Sequence, residues 1–464
     1  MRTDADVLVV GAGLAGLSAA TRLRASGLEV KVLEARERVG GRLLRRALGD
    51  GHWVDVGGQW MGPTQTRLAA LATELGAESF PTYAQGENAI EWKGRVKRYR
   101  GDIPHINPAV LLDTLRVQRK LEALAKRVVV QEPWLTPRAR ELDSQTFWSW
   151  LEANTLTRGA RTLLEIAVEA VWAAEPADIS LLHMLFYTAS AGGFDQLIGT
   201  NGGAQQDRFV QGAGGLALEL GARLGEDIVL QAPVREISHA ADRVEIATGQ
   251  GTFLARRAIL ALPPTLAGRI TYEPPLPGFR DQLTQRIAQG TVIKCMAVYE
   301  EPFWREQGLS GQGLSDRGPV RVTFDNSPPD GRPGVLLGFL EGEQARRLGR
   351  VDGAERRAAV LDCFARLYGP GAASPQDYFE QAWAEEPFSR GCYVGFFGPG
   401  VWTSYGPALR APIGALHWAG AETAVRWNGY MDGAIESGHS AAAAVLAELG
   451  RDAVGEAAVA GEAA

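Results

Sequence analysis

The first 34 residues follow the order strand, glycine turn, helix, strand, and this order constrains the fold more than any other feature of the chain. Val7–Val10 is a short apolar run, the turn G-A-G-L-A-G follows it, and a helical pattern leads to a second apolar run that closes on Glu34. In such a unit Gly11 permits the tight turn, Gly13 lets the backbone approach a pyrophosphate, and Gly16 lets the helix pack closely on the strand. The helix N-terminus offers N–H groups to phosphates, and Glu34 can accept hydrogen bonds from a ribose. The pattern therefore predicts a dinucleotide-binding unit, with a tight turn that holds no ligand as the alternative.

Length and composition limit the class of protein. A chain of 464 residues is too long for one simple core, which predicts two domains or more. Its 45% hydrophobic and 22% charged residues are typical of a soluble globular protein, and a net charge of −6 argues against nucleic acid or an anionic membrane as the partner. Three cysteines form no disulfide framework, which favours a reducing, cytoplasmic location. The six histidines are scattered without ligand spacing, so no metal site is predicted.

Several longer segments carry a helix or strand pattern. The charged stretch 81–130 indicates helix, as do 144–155, 160–191 and 353–368, whereas 291–299, 320–324 and 335–340 indicate strands of one sheet. The Gly- and Pro-rich stretch 251–277 indicates a connection between regions. No apolar run reaches the roughly 18 residues needed to span a bilayer, and the N-terminus carries no secretory pattern. We therefore expect no membrane partner.

Four further motifs carry a resemblance to a known family. They are E-A-R-E-R-V-G-G-R from Glu34, D-V-G-G-Q from Asp55, S-R-G-C-Y from Ser389, and H-W-A-G-A-E-T-A-V-R-W-N-G-Y-M-D-G from His417. Together with the first turn, they resemble the flavin-containing monoamine oxidases. The chain looks like a soluble bacterial relative of the mitochondrial enzymes, with putrescine and tyramine oxidases as near relatives.

The resemblance implies an α/β fold of flavin amine oxidase architecture. A Rossmann-like FAD-binding domain, discontinuous over 1–79, 210–283 and 386–452, would carry an inserted substrate domain of mixed sheet and helices, over 80–209 and 284–385. Residues 453–464 would form a flexible tail. The resemblance also implies FAD as the cofactor, and it adds to the first glycines and Glu34 a set of cofactor-binding residues: Arg36, Arg42, Gly57, Gly58, Gln59, Val234, Trp383, Cys392, Glu422 and Met431.

Lys294 stands out from the residues alone. It is the one lysine after Lys126 in a chain whose usual cation is arginine, and it lies in the apolar stretch T-V-I-K-C-M-A-V-Y. A compact amine is therefore required at this position, or the lysine lies at a strand edge with its ammonium in water. The family resemblance implies that this lysine holds a water against the flavin and assists the reaction of O₂ with the reduced ring.

The resemblance assigns further roles to one cysteine and two tyrosines. Cys392 matches the cysteine that bonds the 8α-methyl carbon of the flavin, since a thiolate can attack that electrophilic position. A free buried thiol is the alternative. Tyr393 and Tyr430 match two tyrosines whose rings form an aromatic cage in front of the flavin. Cys295 and Cys363 are interpreted as packing residues.

The substrate side carries weaker signals. The resemblance indicates a pocket lined by Val171, Trp172, Leu197, Ile198, Gln205 and Val322. A diamine oxidase needs an acid for the distal ammonium. Asp325, Asp195 and Asp316 are the candidates, but each is expected to be solvated. Aromatic or alkyl monoamines are therefore the favoured substrates.

The motifs together indicate a flavin-dependent amine oxidase that uses a small amine and O₂ and gives aldehyde, ammonia and hydrogen peroxide. A homodimer is expected, with no nucleic-acid partner. Alternatives within the family are a putrescine, cyclic-amine or amino-acid oxidase, and the last would need an arginine clamp for the carboxylate. A desaturase-type flavoprotein shares the N-terminal motif but leaves Lys294, Cys392, Tyr393 and Tyr430 without a role. A flavoprotein without catalytic activity is the remaining alternative, from a different class.

Overall fold

The structure, a computed structural model, describes residues 3–49, 51–101 and 103–451. The chain forms two compact units, one taking its residues from Met1–Leu43, Gly215–Ile287 and Tyr405–Ala464, the other from Leu44–Gly214 and Ala288–Ser404. The expected tail, 453–464, lies outside the described residues. The sequence predicted one domain that binds FAD and one that binds the substrate. The assignment of these two functions to parts of the chain stays a prediction.

The first unit contains a five-stranded parallel sheet. Its strands, in sheet order, are Leu416–Ala419, Arg257–Ala261, Val7–Val10, Val30–Leu33 and Ile228–Val229. The central strand is buried at every position, which explains its continuous apolar run. A second sheet has four strands, in the order Gly251–Ala255, Val244–Thr248, Glu236–His239 and Thr271–Glu273.

Two long helices of the first unit pack against each other. They are Leu14–Ala25 and Met431–Glu448, and a Cβ on Gly438 would lie 2.2 Å from the Ala15 carbonyl oxygen. The remaining helices here are short: Pro264–Ala267, Gly278–Thr284 and the 3₁₀ turns Gly225–Asp227, Gly406–Leu409 and Ala421–Thr423. Helix Ala213–Leu224 begins at the end of the second unit's first segment and continues into the first unit.

The second unit is built on a seven-stranded mixed sheet. In sheet order its strands are Asp377–Ala382, Val292–Tyr299, Gly334–Glu341, Val322–Asp325, Leu309–Ser315, Glu87–Trp92 and Arg95–Tyr99. Shorter strands are Arg45–Gly49, His52–Asp55, Ser79–Pro81, Asp207–Phe209, Ile287–Gln289 and Gly395–Phe397. The helices are Thr66–Glu74, Pro108–Ala125, Ala139–Asp143, Phe147–Asn154, Arg158–Trp172, Leu181–Ser190, Phe194–Ile198, Phe303–Glu306, Gly342–Leu348, Gly353–Tyr368 and Val401–Tyr405, with 3₁₀ turns at Pro133–Leu135 and Pro370–Ala373.

Strand Val292–Tyr299, the lysine strand, separates two clusters of buried residues. Successive side chains of a strand point to opposite faces. Ile293, Cys295 and other odd-numbered residues pack in one cluster with the side chains of helix Gly353–Tyr368, while Met296 and its even-numbered neighbours pack in the other with Phe339. Lys294 is even-numbered, so it shares the second face.

Two expectations about secondary structure were wrong. Stretch 81–130 is helical only at Pro108–Ala125, and before it Glu87–Trp92 and Arg95–Tyr99 form an antiparallel pair. Lys93 and Gly94 both have positive φ, so this two-residue turn favours a hairpin over a helix. Stretch 251–277 is more than a connection, because it supplies strands to both sheets of the first unit. None of the described helices is both long and apolar enough to cross a membrane.

Candidate functional site

The glycine turn has the geometry that a pyrophosphate requires. Gly11 has a φ of 100°, a conformation that favours glycine, and a Cβ on Gly16 would lie 1.9 Å from the Gly11 carbonyl oxygen. A Cβ on Gly13, in contrast, would meet only the Gly41 Cα, at 4.0 Å. Protein packing therefore requires glycine at two positions, whereas at Gly13 it leaves open space next to the backbone. This difference fits a ligand that lies against Gly13.

The helix that follows the turn begins without a side-chain cap. Gly13 is the N-cap of Leu14–Ala25, and the first turn holds no acidic residue. The first N–H groups of a helix have no partners within it and attract anions. The local structure thus suits the diphosphate of FAD.

The two segments predicted to hold the adenosine part lie side by side in the first unit. The buried Glu34 carboxylate accepts hydrogen bonds from the backbone N–H of Ala12, at 2.7 Å, and of Arg36, at 3.0 Å. The Ala232 N–H donates to the Glu34 carbonyl oxygen, which brings the segment of Val234 next to the end of the strand. The glycine turn, the acid and the Val234 segment are therefore assembled in one place.

Arg42 and Glu422 form a bidentate ion pair, although 380 residues separate them. Arg42 Nη1 lies 2.7 Å from Glu422 Oε1, and Nη2 lies 3.1 Å from Oε2. Glu422 is buried, while the guanidinium is partly exposed. The family resemblance implied that both residues bind the cofactor, without linking one to the other. The pair means that each orients the other, and their roles toward FAD stay predictions.

Tyr430 and Met431 begin the last helix of the first unit. Tyr430 is the N-cap of Met431–Glu448, its ring lies edge-on at 4.9 Å from the Trp427 ring, and burial raises the pKa of its phenol. Tyr393 belongs to the second unit. The expected aromatic cage therefore stays a prediction.

Lys294 contacts one of the predicted flavin motifs directly. Its Nζ donates hydrogen bonds to the carbonyl oxygens of Asp55, at 2.6 Å, and Gly57, at 2.9 Å, and to the side-chain oxygen of Gln59. The side chain is buried, so the alternative of a surface ammonium at a strand edge is wrong. The lysine strand and the D-V-G-G-Q motif, predicted separately, thus meet at this amine.

Burial dominates the electrostatics around Lys294. It lowers the pKa of the amine to about 7, although the charge of Asp55 opposes the change, and the nearby Arg208 lowers the pKa further. Burial also raises the pKa of Asp55 and lowers that of Arg208 to about 10. Lys294 can therefore hold or release a proton near neutral pH, which is the property that proton transfer next to a flavin would use.

The D-V-G-G-Q motif is held from two sides. The Asp55 carboxylate accepts hydrogen bonds from the N–H groups of Ala213, at 2.8 Å, and Gly214, at 3.1 Å. The buried indole of Trp383 donates to the Val56 carbonyl oxygen at 2.9 Å. The contact of Trp383 with this motif is consistent with its expected position near the flavin. Gly58 lies in the same loop and is half-buried.

Cys392 and Tyr393 pack on the face of the seven-stranded sheet that carries Met296. Cys392 is buried in one cluster with Trp383 and Met296, and its N–H donates to the Gly290 carbonyl oxygen at 2.9 Å. The Tyr393 ring packs against the edge of this cluster, and its O–H donates to Glu341 Oε1 at 3.0 Å. Lys294, Cys392 and Tyr393 are therefore brought to one face of one unit.

The predicted pocket residues form three groups in the second unit. Val322 packs against the cluster of Met296 and Phe339, as Tyr393 does. On helix Arg158–Trp172, Val171 and Trp172 are both buried, and the Trp172 ring lies 4.6 Å from the Tyr187 ring. Gln205 Nε2 donates to the Leu197 carbonyl oxygen at 3.0 Å, and Ile198, next in the chain, is exposed. Whether these groups line one substrate cavity stays a prediction.

The three candidate acids for a distal ammonium already have partners. Asp325 is buried and accepts hydrogen bonds from Arg305 and from the Trp304 indole, so its expected solvated position was wrong. Asp316 accepts from the Lys93 N–H, and Asp195 accepts from the Gln118 amide. These contacts give each carboxylate a structural role.

Sequence reasoning missed several residues around Lys294 and Tyr393. The sequence motifs indicate no role for Asp55, and they do not single out Phe339, Asn326 or Glu341. Gln59 Nε2 donates to Asn326 Oδ1 at 2.9 Å, which extends the network from Lys294. Glu341 could have been found by the pattern that identified Lys294, because each is a charged residue in a strand that is otherwise apolar. Within the described residues, no group of His, Cys, Asp and Glu suits a metal ion.

The sequence and the fold of this chain are both similar to those of known flavin-containing amine oxidases. The profile of the family described as flavin containing amine oxidoreductase matches residues 14–446. A protein of Mycobacterium tuberculosis, described as a flavin-containing monoamine oxidase, is 44% identical over 96% of this chain and 97% of its own. The structure of a putrescine oxidase bound to putrescine superimposes with a TM-score of 0.92, at 36% identity, over 96% of this chain and 99% of its own. That of cyclohexylamine oxidase from Brevibacterium oxydans gives a TM-score of 0.93, at 34% identity, over 97% and 100%.

Proposed function

The chain belongs to the flavin-containing amine oxidoreductase family, and we propose that it oxidises primary amines, with aromatic or alkyl monoamines preferred. The overall reaction is R-CH₂-NH₂ + O₂ + H₂O → R-CHO + NH₃ + H₂O₂. The amine loses two electrons and two protons to O₂, and water hydrolyses the imine that results. The buried amine of Lys294, bound to the D-V-G-G-Q motif, is the main support for this proposal.

FAD fits the residues of the first unit. The open space next to Gly13 and the uncapped helix N-terminus suit the diphosphate, and Glu34 suits the adenosine ribose. Arg42 and Glu422, held by each other, would contact the phosphate and ribityl parts. When bound, FAD supplies the electron acceptor for the amine and the donor for O₂.

Lys294 would hold a water molecule next to the reacting ring by giving up one of its three hydrogen bonds to the D-V-G-G-Q motif, since an ammonium has three donors. Its pKa of about 7 allows both the neutral and the charged amine at neutral pH, and a positive charge stabilises the superoxide-like charge that develops on O₂. Tyr393 and Tyr430 would guide the amine along their ring faces. Cys392 would bond the 8α carbon of the flavin. Support for this bond comes from the cluster that places Cys392 with Trp383 and on the face of Lys294.

The proposal is tested by the visible spectrum of the purified protein, recorded anaerobically before and after the addition of one amine. Benzylamine, phenethylamine, tyramine, a short alkylamine and putrescine form the panel. Bleaching of the flavin band by an aromatic or alkyl monoamine is the expected result. Bleaching by putrescine alone would assign a diamine oxidase, the second candidate, which the similarity to putrescine oxidase favours. A band that no amine changes would contradict the proposal.

Two variants separate the assigned roles. Lys294→Met should slow reoxidation of the flavin far more than its reduction, and equal slowing of both would contradict the role of the lysine. Cys392→Ala should release its flavin on acid precipitation, whereas the unmodified chain should retain it. Complete release from the unmodified chain would contradict the covalent bond. The cytoplasmic location, inferred from cysteine usage, and the homodimer remain proposals.

A further inference from the structure

A cluster of buried and partly buried charged groups lies near the hydroxyl end of Tyr393 in the second unit, and the proposed reaction does not use it. Glu341, the last residue of its strand, is 3% exposed and accepts a hydrogen bond from the Tyr393 O–H at 3.0 Å. Arg321 Nε lies 3.2 Å from Glu169 Oε2, and its Nη1 lies 3.6 Å from Glu165 Oε1. The cluster therefore joins a strand, a helix and the segment of the predicted cage tyrosine.

Glu341 has an unusual environment for a carboxyl group. It follows the apolar run G-V-L-L-G-F-L, and its whole strand is buried. A buried carboxylate needs a charge partner or hydrogen bonds. Within the described part of the chain, Tyr393 is the one hydrogen-bond donor to this side chain. The Glu341 carboxyl group thus depends on the Tyr393 hydroxyl for its hydrogen bond.

Tyr393 is constrained from two directions. The Phe339 ring meets the Tyr393 ring at 5.9 Å and 82°, and Glu341 holds the hydroxyl end. A phenol that donates to a carboxylate makes a charge-assisted hydrogen bond, which is shorter and stronger than a neutral one. Such a bond also shifts electron density toward the ring, and the negative face of the ring is what attracts an amine or ammonium.

We propose that Glu341 is a positioning residue, which holds the Tyr393 hydroxyl and thereby orients and polarises the ring face that the amine meets. The inference rests on the proposed function, in which Tyr393 faces the substrate. Glu341 itself acts through Tyr393 and does not contact the reacting atoms.

Burial of Glu341 makes its contact with Tyr393 sensitive to pH. Burial raises the pKa of Glu341 to about 7, and the Tyr393 hydrogen bond and the charge of Arg321 oppose the rise. Burial raises the pKa of Glu169 to about 8, which Arg321 opposes and the charges of Glu341, Glu165 and Glu175 support. Two acids thus share the charge of one guanidinium, and Glu341 accepts from Tyr393 as a carboxylate only above about pH 7.

The experiment is a double-mutant cycle between Glu341 and Tyr393 in the flavin-loaded enzyme, with benzylamine as substrate. Glu341→Leu should lower kcat/KM about tenfold, the loss expected for a hydrogen bond to a charged group. In the Tyr393→Phe background the same change should have no further effect. Glu341→Gln keeps an acceptor in the same space, so it should fold if the leucine variant does not. It should also remove an ionisation near pH 7 from the rate of flavin reduction by benzylamine, measured anaerobically so that the reoxidation step assigned to Lys294 does not contribute. Glu343→Gln, an exposed acid two residues along, is the matched control and should behave like the unmodified enzyme.

A second readout does not depend on any amine. Infrared difference spectra between pH 6 and pH 8 should contain bands of protonated buried carboxyl groups, and Glu341→Gln should remove one band, which Tyr393→Phe shifts, while the band of Glu169 stays. Equal effects of Glu341→Leu in both backgrounds, or a band that Tyr393→Phe leaves in place, would overturn the inference. If no amine reduces the flavin but the band shifts, the proposed function fails while the contact between Glu341 and Tyr393 stands.

Discussion

Replacing Lys294 with methionine should change how the stability of the protein depends on pH. The amine has a pKa of about 7 in the folded chain against an ordinary value of 10.5, because folding buries it. Between these two values the unfolded chain holds a proton that the folded chain lacks. Stability therefore rises with pH over this window, and the penalty for burying the amine is largest below pH 7.

The size of the effect follows from the two pKa values. Within the window, each pH unit changes the free energy of unfolding by up to about 1.4 kcal/mol. From pH 7.5 to pH 9.5, the stability of the unmodified protein relative to Lys294→Met should therefore increase by about 2.5 kcal/mol. The hydrogen bonds lost to the carbonyl oxygens of Asp55 and Gly57 shift the whole comparison by a constant, so they do not alter this slope.

Denaturant unfolding, followed by tryptophan fluorescence at the two pH values, measures the difference. Met296→Leu is the matched control, because it changes the same face of the lysine strand without adding or removing an ionisable group. The control should follow the unmodified protein at both pH values. If Lys294→Met also follows it, with no divergence between pH 7.5 and pH 9.5, the buried amine does not titrate as inferred.

Four further predictions concern the predicted flavin-binding elements. Gly16→Ala should destabilise the fold by about 3 kcal/mol or more, measured by denaturant unfolding, because its Cβ would lie 1.9 Å from a carbonyl oxygen. Gly13→Ala should leave the stability of the flavin-free protein unchanged but weaken FAD binding, measured by titration. Normal FAD affinity would contradict the inference that the diphosphate lies against Gly13. Asp55→Asn should cost about 2 kcal/mol in unfolding experiments, since an amide offers one acceptor where the carboxylate uses two. Glu422→Gln should cost about 3 kcal/mol by breaking the ion pair with Arg42, and a thermal shift smaller than that of an exposed control would contradict it.

The sequence predicted best where a residue type had one physical explanation. The G-x-G-x-x-G spacing led to the strand, turn and helix at the start of the chain, and the isolated lysine led to a buried amine. Each of these features is local, so pattern and chemistry agree within a few residues.

Features that depend on distant partners could not be predicted. Nothing in the stretch around Arg42 indicates Glu422 as its partner, because that pair depends on a fold that joins positions 380 residues apart. The hairpin of Glu87–Trp92 and Arg95–Tyr99 was missed for a different reason. Its charged residues suit an exposed helix equally well, and the two-residue turn with positive φ decides between them.

The order of strands in the first unit has a consequence for synthesis of the chain. All seven strands of the second unit's large sheet have been made once residue 382 has been added, whereas the parallel sheet of the first unit still lacks its edge strand, Leu416–Ala419. Helix Leu14–Ala25 is made near the start of synthesis, whereas Met431–Glu448, the helix that packs on it, is made near the end. Segments made first must therefore persist on the ribosome without their final neighbours. Glu422 and Met431, both predicted to contact the cofactor, also emerge late, so the predicted FAD site is complete only near the end of synthesis.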